Sequence, residues 1–425
     1  MKALCVLAAV AAAGFAQQRP DPTELLTKAR DRIVARAKRL ADYVCVQTVD
    51  RQHFKHLQPQ FPAPSCAQIA AFNQDNPLVL ESTDRLRLEL KFSHGMEIGA
   101  WAGASQFSSG SVFDLIGGGA YETGTLGAFF GDIFENGGAT YNYIGEVTAA
   151  EFKLAAYGYR VPVGSSHYLI KTGSGWTRTA FSGIFWIDAD SLDLRRLRVD
   201  ANEMPPETEG CEAETTVEYR KVRAGTGEFL LPHRSSMRIV MMDATETRIN
   251  AVYSGWREYH GEAIIRFDNA PVGGEVQALP TPTAPVPAGL SLSLALTSPI
   301  DTDTAAAGDK ITAKLRKPVH IAKGVLAPAG SVVEGRIVQM EHWLDAPRHF
   351  TISLLLEKLD VRGVATPLYA KLDRDGKSTA IILPPMGQSR LVAVLVFPTD
   401  KSRHVVPAGY RTNWVTVAPP QDEKK

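Results

Sequence analysis

The sequence predicts an α+β protein: a helix followed by one large, curved antiparallel sheet, and beyond a proline-rich break a second, smaller all-β barrel or sandwich. Three observations carry this. The hydrophobic period changes from 3.6 to 2 after the first mature segment. Strand-like runs separated by turn residues then recur as far as TRINAVYSGWREY. Prolines next concentrate in PVGGEVQALPTPTAPVP, five in seventeen residues, before strict alternation resumes. With 425 residues, 44% hydrophobic and 22% charged, each region is long enough for a core of its own.

The opening stretch MKALCVLAAVAAAGFAQQ has one lysine, an apolar run from Ala3 to Ala13, and small residues at Gly14 and Ala16. That is the layout of a secretory signal peptide cleaved after Ala16. Cys5 precedes the end of the apolar run, so it does not form a lipoprotein cleavage box. No later segment approaches the roughly 20 apolar residues a membrane helix needs. The mature chain is therefore expected in the periplasm or secreted, without a transmembrane helix. Its expected parts are a first domain over 17–268, a linker over 269–288, an all-β domain over 289–420 and a charged tail over 421–425.

In DPTELLTKARDRIVARAKRLADYV, Asp21 is suited to cap a helix, Pro22 to its first position and Glu24 to a capping box. Leu26, Ala29, Ile33, Ala37, Leu40 and Val44 recur at helical spacing, and Lys28, Arg32, Arg36 and Arg39 read as a solvated face. DRLRLELKF then alternates, with Leu86, Leu88, Leu90 and Phe92 on one face, as in a half-buried antiparallel strand. The proline-rich segment is expected to be extended, able to separate two domains by up to roughly 50 Å. Beyond it, Leu290, Leu292, Leu294 and Leu296 alternate again, and Pro-Ala-Gly at Pro287, Pro328 and Pro407 reads as recurrent turn chemistry.

FDLIGGGAYETGTLGAFFGDIFENGGATYNYIG, Phe113 to Gly145, holds nine glycines. It contains neither a P-loop nor a dinucleotide fingerprint. Leu126, Phe129, Phe130, Ile133 and Phe134 instead form the apolar stripe of a short helix, capped by Thr123 and followed by Gly137 and Gly138. Gly127 and Gly131, one turn apart, read as positions of close backbone approach. Three cysteines remain after cleavage. Cys45 with Cys66 would close a short loop, leaving Cys211 as the odd thiol.

Chemistry-bearing motifs are sparse. Forty-six basic residues balance forty-six acidic ones, so nothing draws the chain to nucleic acid. Gly376-Lys377-Ser378 lacks the first glycine of a P-loop and reads as a hairpin turn. Asp188, Asp190 and Asp193 read as a turn rather than a calcium loop. His53 with His56, and Glu341, His342, Asp345 and His349, read as polar loops rather than metal ligands. No nucleophile elbow or zinc helix occurs. The expectation is a non-enzymatic protein with no cofactor and no metal.

MEIGAWAGASQF, the GAYETGTLGAFFGDIF helix, SGIFWIDADSLDLRRLRV, and EFLLPHRSSMRIV with YSGWREYHGEAIIRFD resemble an uncharacterised family of secreted acidobacterial proteins. The helix-then-sheet order and the FWID…LRRL hairpin are similar, over roughly residues 20–268, to the periplasmic lipoprotein-carrier (LolA/LolB-like) superfamily. That resemblance implies a half-open barrel with helices across its concave, apolar side, where a carrier holds acyl chains. The leading expectation is a lipid or acyl chain bound there, lined by Trp101, Leu126, Phe129, Phe130 and Phe134. The alternative is an envelope scaffold whose groove is plugged by its own helix, the C-terminal domain contacting a cell-envelope protein. A hydrolase built from scattered residues stands third.

Overall fold

The computed structural model describes residues 21–38, 43–57, 65–93, 96–104, 107, 112–116, 120–121, 128–149, 152–172, 175–224, 227–258, 284–322, 324–373 and 391–420. The expected signal peptide and its cleavage site, Thr123, Leu126, Gly127, the turn expected at Gly376, most of the expected linker and the expected tail lie outside them.

Helix α1 (Pro22–Ala37) starts as its sequence dictates: the Asp21 carboxylate accepts the Thr23 N–H at 3.0 Å, with Pro22 following. It buries Leu25, Ala29 and Ile33. The helix ends at Ala37, and Val44 belongs to the first strand, β1 (Tyr43–Lys55). After α2 (Ile69–Asp75) come β2 (Val79–Ser93) and β3 (Met96–Trp101). Two short helical pieces follow, α3 (Val112–Leu115) and α4 (Ala128–Phe130, continued by a π-helical turn over Gly131–Glu135).

The remaining strands of the first region are β4 (Thr140–Ala149), β5 (Phe152–Val161), β6 (Leu169–Thr172), β7 (Gly175–Arg178), β8 (Phe181–Asp188), β9 (Leu194–Ala201), β10 (Gly210–Ala224), β11 (Gly227–Met241) and β12 (Glu246–Glu258). All but the β6–β7 hairpin join one antiparallel sheet in the order β4–β5–β8–β9–β10–β11–β12–β1–β2–β3. No pairing joins its ends among the described residues, so the sheet stays open. Period-2 patterning places Leu86, Leu88 and Leu90 in the core, as read from DRLRLELKF. Helices α1, α3 and α4 cover one sheet face and create two adjoining cores, while α2 packs Ile69 and Phe72 with Val240 in a small cluster of its own. One is rich in rings, with Phe129, Phe134, Tyr157 and Phe185; the other contains Leu88, Val112, Tyr121 and Met237.

The second region contributes β13 (Ser291–Leu296), β14 (Ile300–Asp301), β15 (Lys310–Leu315), β16 (Val319–Ile321), β17 (Gly324–Ala327), β18 (Val332–Trp343), β19 (His349–Val361), β20 (Val364–Pro367), β21 (Ala370–Leu372), β22 (Ala393–Pro398), β23 (Val405–Val406) and β24 (Arg411–Thr416). Antiparallel pairing runs β21–β24–β13–β15–β18–β19–β22, around a separate core that buries Trp414 and Val286. Among the described residues this sheet does not close into a barrel either.

The two regions do not stand apart. Strand β2 shares its outer edge among three partners: β18 takes Ser82–Asp84, the turn at Ala307 takes Arg85 and Arg87, and β3 takes Leu88–Ser93. Ala307 donates to Arg85 O at 2.8 Å and accepts from Arg87 N at 2.6 Å. Gly308 follows with φ +108°, and a Cβ there would lie 2.0 Å from Arg87 O, so only glycine lets the turn approach. Arg336 bonds Ala102 O (2.8 Å) and Gly308 O (2.6 Å), tying both regions together.

The cysteines pair differently from the sequence expectation. The disulfide joins Cys66 to Cys211, 145 residues apart, and Cys45 is a free, buried thiol. The cause is strand direction: Cys45 points from β1 into the core beside Leu88 and Val49, whereas Ile69 and Phe72 of α2 pack with Cys211, Val240 and Ala244. Burial, with the charge of Glu97, pushes the Cys45 thiol up. A thiolate at that position is disfavoured.

Candidate functional site

The ring-rich half of the covered face is built from alternation in two strands. β5 presents Tyr157 and Tyr159, β8 presents Phe181 and Phe185, and Tyr219 joins them from β10. Helix α4 lies on this floor. Phe129 meets Phe181 at 5.6 Å and Tyr168 at 5.3 Å, Phe134 meets Phe185 at 5.1 Å, and Phe130 meets Tyr219 at 5.4 Å. These are the tilted and edge-on arrangements aromatic rings prefer. Phe129 and Phe134 are 1% and 2% exposed, while Phe130 is half-buried.

Of the residues singled out as a lining, Phe129, Phe130 and Phe134 come together. Trp101 does not join them: it sits at the end of β3 in the other core, near Gly308 and the seam with the second region. Leu126 is outside the described residues. Gly131 is no close-approach position, because a Cβ there meets only Asn136 Nδ2, at an ordinary 3.6 Å. The floor residues Tyr157, Tyr159, Phe181, Phe185 and Tyr219 were missed. For the four on β5 and β8 the signal was present as ring-bearing alternation in AAYGYRV and FSGIFWID.

Polar ties hold α4 and α1 in place. Asp132, in the π-helical turn, is buried and accepts the His167 backbone N–H at 2.6 Å, with His167 Nδ1 also 2.6 Å away. Tyr141 donates to Ile133 O, and Arg30 of α1 donates to Phe134 O at 3.0 Å. At the other face of α1, Asp193 from the β8–β9 hairpin is wholly buried and bonded to Arg36, with Arg32 at 3.7 Å and Lys221 at 3.5 Å. Part of the basic face that read as solvated thus grips the sheet. Tyr157 donates to Pro22 O at 2.8 Å; burial, then the charges of Tyr143, Asp21 and Glu146, push its hydroxyl up to about 12, so it stays a donor. Asp188 caps its own turn through the Asp190 and Ser191 N–H groups, in keeping with the turn expected there.

Between α1 and α4 runs an open groove of about 510 Å³, lined by Thr27, Arg30, Asp31, Val34, Ala35 and Lys38 on one side and Phe134 and Glu135 on the other, so that charged rims flank the apolar Val34, Ala35 and Phe134. Arg30 Nε is buried with no hydrogen-bond partner among the described residues. The other half of the covered face is more polar: Tyr121 donates to Gln47 (2.5 Å), and Gln47 donates to Tyr253 (3.0 Å).

A second cluster lies at the seam. Asp84 accepts from Arg51 Nε at 2.8 Å and lies 3.1 Å from His53 Nε2. Burial alone would raise its carboxyl, but the His53 hydrogen bond and the Arg51 charge outweigh it and hold it below the usual carboxylate range. Glu341, paired in register with Asp84, is shifted the other way by burial and the Asp84 charge, against hydrogen bonds from Gln339 and Ser82. His53, Glu341, His342 and His349 therefore stand on strands rather than in the expected loops. Among the described residues no group of three or more His, Cys, Asp or Glu side chains could hold a metal ion. None of the helices there is long and apolar enough to cross a membrane.

No family model matches the sequence, and no curated protein does. Among solved structures the chain is similar to a domain of Vibrio parahaemolyticus described as a candidate outer membrane lipoprotein-sorting protein, at 11% identity and TM-score 0.29, covering 57% of this chain and 94% of that one. It is similar to a LolA superfamily protein from Nitrosomonas europaea at 11% identity and TM-score 0.24, covering 55% and 94%. A third is the Mycobacterium tuberculosis lipoprotein LppX, at 12% identity and TM-score 0.21, covering 57% and 100%. Likeness of this degree assigns neither ligand nor activity.

Proposed function

We propose that the first region is a non-enzymatic receptor for an apolar ligand, a lipid or acyl chain, held between α1, α4 and the aromatic floor. The observation that carries this is the groove beside Phe134, whose volume of about 510 Å³ falls within the usual range for small-molecule sites. Helix α4 spans only Ala128–Glu135, far below the length at which a helix stands alone, so it keeps its place through its contacts with the floor and α1, and an acyl chain could take over the apolar ones while the hydrogen bonds of Asp132, Ile133 and Phe134 hold the backbone. Each methylene buried would contribute about 0.8 kcal/mol. The Cys66–Cys211 disulfide fits the oxidising compartment to which the signal peptide would deliver the chain.

The test is native mass spectrometry of gently purified protein, followed by titration with a fluorescent fatty acid. Co-purified lipid, or saturable probe binding competed by unlabelled fatty acid, supports the reading; neither adduct nor saturable binding overturns it. A second reading, the self-plugged scaffold with an envelope partner, draws on the near-complete burial of Phe129, Ile133 and Phe134. It expects α4 to stay on the floor under all ligand conditions, read by hydrogen exchange at Ile133 and Phe134.

A further inference from the structure

The β6–β7 hairpin stands outside the main sheet as a two-stranded ribbon of its own. Its register sets Leu169 opposite Arg178 and Lys171 opposite Trp176. Alternation therefore puts these four positions on one face of the ribbon, two apolar or aromatic and two cationic. Leu169 is 42% exposed, Trp176 46%, and Arg178 is also exposed. Ile170 and Thr177, on the opposite face, are half-buried. The turn leading into the ribbon adds exposed Val163 and His167. From Pro162 to Ala180 the chain holds Lys171, Arg178 and His167 and no acidic residue, in a protein whose overall charge is zero.

We propose that this ribbon face docks the protein on an anionic lipid bilayer. Tryptophan sits at the level of the headgroups, a leucine beside it reaches the acyl boundary, and the arginine next to them meets lipid phosphate. Charge opposes the simplest alternative occupant, the same face of a second copy. In a two-fold contact each face meets itself, and Arg178 would face its own like charge with no carboxylate in the ribbon to offset it. The ribbon is tied to α4 through His167 and Tyr168, but none of its residues lines the groove between α1 and α4, so vesicle binding and ligand binding are read out separately.

The experiment is co-sedimentation of the full mature chain with vesicles of phosphatidylcholine alone or with 30% phosphatidylglycerol, at low and high salt. Binding is expected only to the anionic vesicles and is expected to weaken with salt. Arg178→Glu, a change of two charges, should lower vesicle affinity roughly 25-fold, at about fivefold per unit charge near an anionic leaflet. Trp176→Ala and Leu169→Ala should each weaken it with an unchanged melting temperature, whereas Val364→Ala, exposed in the second region, should not. Equal binding to both vesicles, no binding to either, or binding indifferent to Arg178 and Trp176 overturns the proposal. So does tight binding to immobilised polyglutamate that depends on Arg178 but not on Trp176 or Leu169, which would assign an acidic polypeptide instead.

Discussion

Asp193 is a carboxylate with no exposed surface, and what balances it is α1. Arg36, Arg32 and Lys221 converge on it from two elements, the first two from a helix about 160 residues earlier in the chain. Asp193→Ala leaves three partly exposed cations without their acceptor. The expected cost is about 2–3 kcal/mol, below the usual figure for a fully buried pair because water still reaches the arginines. Urea unfolding would show it as a lower midpoint at unchanged slope. At the seam, Asp84 and Glu341 act in opposite senses with pH. Asp84, lowered in the fold, stabilises fully above the ordinary carboxylate pKa and loses that contribution as pH falls through its native value. Glu341, raised in the fold, carries a cost in its ionised form that protonation relieves as pH falls through its native value. Stability should therefore rise slightly on mild acidification and fall below about pH 4; Glu341→Gln should remove the rising part of the urea-midpoint profile. None of these pairings was legible in the sequence, since charged residues at strand ends look alike until strand order is known. The cysteines failed for the same reason: nearness in sequence favoured Cys66 with Cys45, and sheet order brought Cys211 beside it.

At the scale of elements, periodicity was informative where one face alone is buried. The α1 start, the β2 alternation and the Phe129–Phe134 stripe all follow from it. What it did not show is the π-helical turn, because residues four apart, such as Phe129 with Ile133 and Phe130 with Phe134, share a face in either winding. The buried Asp132–His167 contact was equally hidden, as nothing marks an aspartate among phenylalanines for burial. Phe134 gives α4 its sharpest test. Phe134→Ala should cost about 3–5 kcal/mol of stability as a large buried ring is lost. If α4 yields its place to ligand, the same change raises the fraction of receptive molecules, so probe affinity should increase while the melting temperature falls. A decrease in both would mean that the ring itself contacts the ligand.

For the whole molecule, two compositional regions were visible and their union was not. An alternating strand announces which face it buries, yet says nothing of its edge, and β2 joins the regions by its edge. Gly308→Ala tests that union: positive φ and the Arg87 carbonyl both oppose a Cβ, and the loss should exceed about 2 kcal/mol. The expected readout is unfolding that splits into two transitions, with faster amide exchange at Arg87 and Ala307.

The shared edge also bears on solubility. β2 is a long strand, and in the intact chain β18 and the Ala307 turn occupy the part of its rim that β3 leaves bare. A fragment ending before the proline-rich segment would uncover a row of unsatisfied N–H and C=O groups, a template for edge-to-edge aggregation. The second region thus acts as a guard for the first, and trimming the protein to its first region would leave that edge open to self-association.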